Sequence, residues 1–157
     1  MMVENAVDIL LVEDSEGDAE LAIAGLKARS LGSKVVHLVD GDAALEFVFA
    51  ASVAANGPAE NTPRLILLDL NLSGTDGLEI LRHLKEEEST RQIPVVIMSG
   101  SASQKEMMEC YRLGVNSYVA KPGSARQYAQ LVGEIAHYWL VVNCPVQPAR
   151  VAAVGSG

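Results

Sequence analysis

Leu65–Gly77 reads LILLDLNLSGTDG, an apolar run closed by a carboxylate and followed by small and polar residues. The role of Asp69 decides the fold and the chemistry together. In one parse it is the first ligand of a calcium loop. In a second it is the nucleophile of a covalent-aspartyl phosphatase, and in a third it is a strand-end carboxylate that is itself phosphorylated. The calcium parse fails within the stretch. Asp69, Asn71, Ser73 and Gly74 suit positions one, three, five and six, but position twelve is Ile80, where a bidentate Glu is needed. LILL ahead of it is also a strand pattern and not an entering helix.

Further apolar runs lie at Val7–Val12, Val35–Val39, Val95–Met98 and Val115–Ala120. All but the last are nearly continuous, as in parallel strands covered on both faces. Between them the apolar spacing becomes helical. Met107, Cys110, Tyr111 and Gly114 recur at i, i+3, i+4, i+7, and Tyr128, Leu131, Val132, Ile135 and Trp139 extend the same spacing. Leu78, Leu81 and Leu84 mark a third helix, Leu45, Val48 and Phe49 a short one, and Glu16–Leu31 the least periodic. Both the Met107–Tyr111 stripe and Trp139 are read as packing residues. Four capping-box pairs, Ser15 with Asp18, Asp76 with Glu79, Ser103 with Glu106 and Ser124 with Gln127, each follow a run by a few residues.

The order is β-α repeated five times, which right-handed crossovers fold into a doubly wound five-stranded parallel sheet. Ligands in such sheets bind beyond the carboxyl ends of the strands. The residues there are Glu13 and Asp14 after the first strand, Asp69 ending the third, Ser99 ending the fourth and Lys121 after the fifth. Three carboxylates at one edge repel one another unless a cation intervenes. Magnesium, which accepts a few carboxylate oxygens and shares phosphate oxygens, suits an open cluster of this kind. With a lysine and a hydroxyl added, the edge fits a phosphoryl group.

Composition agrees. The chain has 157 residues, 49% of them apolar, enough for one domain with a core. A net charge of −8, with 12 Lys and Arg scattered along the chain, speaks against a nucleic-acid surface. No apolar stretch approaches membrane-spanning length, and Cys110 and Cys144 read as free thiols of a cytoplasmic protein. His37, His83 and His137 share no spacing and are read as surface residues.

The motifs LLVED, LILLDLNLSGTDG, IPVVIMSGS and YVAKP, in this order and spacing, resemble the receiver domain of two-component response regulators, a CheY-like superfamily. The resemblance implies a flavodoxin-like (βα)5 fold with strand order 2-1-3-4-5, a receiver over residues 6–142 and a flexible tail over 143–157. It implies that Asp69 is the phosphoacceptor and that Glu13, Asp14, Asp69 and the backbone carbonyl of Asn71 hold Mg2+. Lys121 would neutralise the phosphoryl group, Ser99 would hydrogen-bond it, and Tyr118 would be the switch aromatic. A cis peptide at Lys121–Pro122 is a further implication. The donor would be a partner histidine kinase. Output would pass through protein contacts on the fourth helix, fifth strand and fifth helix, where dimers also form.

The long spacer Ala50–Pro63 resembles the extension of phytochrome-associated single-domain regulators, which implies phytochromes among the kinases. Two departures from the commonest receiver pattern are Ser73, where proline is frequent, and Gly100, where alanine is usual. Two alternatives stay open. One is a pseudo-receiver binding module that never carries phosphate. The other, more remote, is a haloacid-dehalogenase-like phosphatase, although Asn71 stands where its second acid is needed.

Overall fold

The computed structural model describes residues 7–31, 34–54, 62–101 and 103–145, with the side chains of 51–54 excepted. Among these residues the strands are β1 (Ile9–Val12), β2 (Val35–Leu38), β3 (Leu65–Asp69), β4 (Val95–Ser99) and β5 (Ser117–Ala120). The helices that follow them are α1 (Glu16–Ala28), α2 (Gly41–Ala54), α3 (Gly77–Glu86), α4 (Gln104–Leu113) and α5 (Ala125–His137). All strand pairs are parallel, in the order β2-β1-β3-β4-β5.

The continuous apolar runs have a simple cause. Alternate side chains of a strand point to opposite faces, and here both faces are covered. Leu10, Val12, Ile66, Leu68, Val95 and Ile97 pack on the layer of α2, α3 and α4, against residues such as Val48, Leu81 and Cys110. Ile9, Leu11, Leu65, Leu67, Val96 and Met98 pack on α1 and α5, against Leu26, Val132 and Ala136. Each fully buried Leu or Ile contributes roughly 1.5–3 kcal/mol. β2 and β5, at the sheet edges, are only half-buried along most of their length.

The α1–α5 contact is unusually close. A Cβ at Gly25 would lie 1.9 Å from the carbonyl oxygen of Ala129, and one at Gly133 would lie 3.0 Å from that of Gly25. Glycine therefore lets the two backbones touch. At its far end α5 passes into a π-helical turn, Tyr138–Val142, where Trp139 packs partly into the core and meets Tyr138 edge-on at 5.1 Å.

Four expectations are corrected. α2 is not short: it runs for 14 residues into the stretch read as a spacer, because Ala-rich sequence sustains a helix. Residues 55–61 of that spacer, and 146–157 of the expected tail, lie outside the described residues. The Met107–Tyr111 stripe is only partly core. Cys110 is buried and Met107 half-buried, but Tyr111 is 52% exposed, since α4 packs near the sheet edge. No cis peptide occurs among the described residues, so Lys121–Pro122 is trans, the form an X–Pro bond itself prefers. Lys121 reaches Asp69 from a trans bond. The fourth correction concerns His37 and is made with the site below.

Candidate functional site

The register of the sheet brings the expected residues to one edge. Val12 pairs with Leu68, Asp69 with Met98 and Ser99 with Ala120, so the residues at or just after these positions share a rim. The ladder continues one step further on both sides: Glu13 N–H donates to Leu38 O at 3.0 Å, and Lys121 N–H to Ser99 O at 2.8 Å. These bonds fix the backbones that carry the buried Glu13 and the lysine. His37 is not a free surface group. Its Nε2 sits 2.7 Å from the Glu13 carbonyl oxygen and donates to it in the tautomer protonated there.

Asp69 is 4% exposed and Ser99 fully buried. Asp69 Oδ1 accepts from the Asn71 N–H at 3.0 Å, which ties the loop carrying the Asn71 carbonyl to Asp69. The Lys121 ammonium is surrounded by carboxylates: Glu13 Oε1 at 2.9 Å, Asp18 Oδ2 at 2.9 Å and Asp69 Oδ2 at 3.3 Å. It also lies 5.6 Å from the centre of the Tyr128 ring, whose buried hydroxyl has no hydrogen-bond partner among the described residues. Asp14 is turned toward Ser73, whose N–H and Oγ donate to Asp14 Oδ2 at 2.9 and 2.7 Å.

These contacts set the charges. Burial, reinforced by the hydrogen bond to Asp69, pushes the Glu13 carboxyl from 4.5 up to about 7, with Lys121 opposing. Burial alone would lower Lys121, but the hydrogen bonds it donates to Asp18 and Glu13 and the charges of Asp69 and Glu13 outweigh it and raise its pKa. The Ser73 hydrogen bonds hold Asp14 below its ordinary value. One carboxylate oxygen each from Glu13, Asp14 and Asp69 lie within 4.8 Å of one another. Three hard oxygen donors on an open rim fit a divalent cation such as magnesium. The calcium-loop parse is also excluded sterically: Ile80, its twelfth position, is 1% exposed in the core of α3.

Tyr118 stands on β5 with its Oη 2.9 Å from Ser101 O and 2.9 Å from Glu106 Oε1. A phenol carries one proton, so these two acceptors compete for it.

Sequence reasoning missed Asp18, Ser73 and Tyr128 as members of the site. Asp18 and Glu106 were read as the second halves of capping boxes. The serines do cap: Ser15 accepts from Asp18 N–H and Ser103 from Glu106 N–H. The acidic side chains, however, turn to Lys121 and Tyr118, while the Ser15 N–H is taken by Glu13 Oε2 at 3.2 Å. The signal that was available is the run EDSEGD, whose last acid, Asp18, stands on the first turn of α1 at the same sheet edge.

A doubly wound sheet of this order, with an acidic cluster, a hydroxyl and a lysine at its carboxyl rim, defines the receiver class of signalling domain. Residues 9–133 match the family described as response regulator receiver domain, and the chain belongs to that family, a component of two-component systems. It is 37% identical to Response regulator Rcp1 of Synechocystis over 84% of this chain and 88% of that protein. With the probable methanogenesis regulatory protein FilR2 of Methanothrix harundinacea it shares 36% identity over 93% of this chain and 92% of the other. Its fold is similar to the crystal structure of the phosphorylated cyanobacterial phytochrome response regulator RcpA, with a TM-score of 0.77 and 33% identity over 90% of this chain and 99% of that one. Similarity to the Mn2+-bound form of Rcp1 is equivalent, with a TM-score of 0.78 and 34% identity over the same shares.

Proposed function

We propose that this protein is a single-domain response regulator in which Asp69 accepts a phosphoryl group from a partner histidine kinase. Mg2+ would be held by Glu13, Asp14, Asp69 and the backbone carbonyl of Asn71. The observation that carries this reading is the convergence of a nearly buried carboxylate and a lysine ammonium, 3.3 Å apart, beside two further carboxylates at the sheet rim. That Rcp1, a relative, has a Mn2+-bound form supports divalent-cation binding by this chain.

When bound, Mg2+ supplies positive charge against the phosphoryl oxygens. An Asp69 oxygen attacks phosphorus, the bond from phosphorus to the kinase imidazole nitrogen breaks, and the imidazole keeps the electron pair. Lys121 offsets charge on the transferred oxygens, and the Ser99 hydroxyl donates to one of them. Such transfer needs positioning and electrostatics more than a base, so the chain catalyses only its own phosphorylation and dephosphorylation.

Ser99 Oγ accepts from Ser101 N–H at 3.1 Å, and Ser101 O is one of the two acceptors facing Tyr118. Movement of Ser99 toward a phosphoryl group would therefore reach Tyr118 and, through Glu106, α4. We assign output to the α4, β5 and α5 surface, where exposed Met108 and Tyr111 support contact with a downstream protein or a second copy. The receiver spans 6–142 with 143–157 as a tail, the setting is cytoplasmic, and the donor is a phytochrome-class kinase, in keeping with the relatives.

Acetyl phosphate with magnesium should add a phosphoryl mass increment that is lost in Asp69→Asn. An increment that persists in Asp69→Asn overturns the acceptor assignment. No increment in the unaltered protein, under conditions that resolve short-lived phosphate, favours the binding-module reading.

A further inference from the structure

Lys121 is not simply aimed at the acceptor. Its ammonium has three donor hydrogens, and three carboxylates already surround it. A phosphoryl oxygen can be served only if one of these partners gives way. Burial indicates which one. The Glu13 side chain is 1% exposed, so loss of the lysine would leave its carboxylate in a place that water scarcely reaches, and Asp69, 6% exposed, carries the phosphoryl group on its own oxygen and so keeps the lysine beside it. The side chain of Asp18 is 37% exposed, and water can replace the ammonium there at small cost. Asp18 is also as near to Lys121 as Glu13 is, and nearer than the acceptor.

We propose that Asp18 is a positioning residue that holds the Lys121 ammonium back in the unphosphorylated protein and surrenders it to the phosphoryl group. The inference rests on Asp69 as acceptor, and it goes beyond that reading by assigning a resting partner to the lysine. Asp18 belongs to none of the expected ligand sets, and its helix-capping contact uses its backbone N–H alone, leaving the carboxylate for this task. Neutralising Asp18 weakens the resting state of Lys121 and so favours whatever the lysine binds next.

The test uses the full chain with saturating magnesium and fluoroberyllate, a tetrahedral stand-in for a phosphoryl group on a carboxylate. Dissociation constants are measured for the unaltered protein, Asp18→Asn, Lys121→Met and the double variant, with circular dichroism to establish that each is folded. Lys121→Gln serves as the second background if the methionine variant fails to fold. Asp18→Asn should tighten fluoroberyllate by about two- to fivefold, the range of a partly exposed ion pair. The gain should vanish when Lys121 is absent. Equal effects in both backgrounds, or no effect in either, would mean that Asp18 acts only at the helix terminus. Weaker binding in Asp18→Asn that depends on Lys121 would mean that Asp18 aims the lysine, and it overturns the proposal equally. If the unaltered protein binds no fluoroberyllate, the acceptor reading itself fails and this one falls with it.

Discussion

With Glu13 among the proposed magnesium ligands, cation binding should depend on pH in the range where cells live. Burial and the hydrogen bond to Asp69 lift the Glu13 carboxyl to about 7, and only the ionised form offers both oxygens to a cation, so proton and cation compete. The deprotonated fraction falls from about nine-tenths at about pH 8 to about one-tenth at about pH 6, which weakens magnesium about tenfold, roughly 1.4 kcal/mol. A carboxyl left at its ordinary 4.5 would stay ionised across that span and leave the constant nearly level. Calorimetric titration with magnesium at both pH values, in buffers of different ionisation enthalpy, reads the constant and counts the protons released. Equal constants without proton release would refute the reasoning. Stability of the metal-free protein runs the opposite way. A folded-state value above the unfolded one gives a contribution fully present below the unfolded 4.5 and lost as pH rises through about 7. Magnesium should therefore raise the melting temperature more at about pH 8 than at about pH 6.

Two further substitutions separate frame from site. Gly25→Ala places a Cβ on the Ala129 carbonyl and forces α1 from α5; overpacking of about 1–3 kcal/mol should exceed the helix-propensity gain of about 0.5–1 kcal/mol. The melting temperature should fall by several degrees, and an unchanged or higher value would contradict the packing. Ser73→Ala removes one of the two donors to Asp14 Oδ2 and should tighten magnesium by about two- to tenfold. Unchanged affinity would show that Ser73 does not compete with the cation for Asp14.

The frame was legible because its information is local and repeated. Central strands buried on both faces must be apolar throughout, and LILLD and VVIMS declare this without reference to the rest of the chain. The rim residues were legible because each stands at or just after a strand end, where topology alone brings them together. The residues that were missed depend on side-chain direction. Asp18 and Glu106 fit a capping pattern that is satisfied by backbone N–H groups, so their carboxylates looked spent when they were free to reach Lys121 and Tyr118. Ser73 was noticed as a calcium-loop position and a missing proline, while its N–H and hydroxyl hold Asp14. His37 gave no pattern at all, because its partner is a backbone carbonyl 24 positions away.

The guanidinium of Arg64, just ahead of β3, donates to Leu140 O at 2.9 Å and pins the π-helical turn beside the amino ends of the strands. Asp69, the proposed acceptor, lies at their carboxyl ends, a strand length of about 15 Å away by the rise of a β-strand. A fluorescent reporter or an affinity handle joined downstream of Pro145 would begin at the far end of the sheet from Asp69. Such a fusion should leave the approach of a kinase open, which makes that end of the chain the place to attach probes of phosphate uptake.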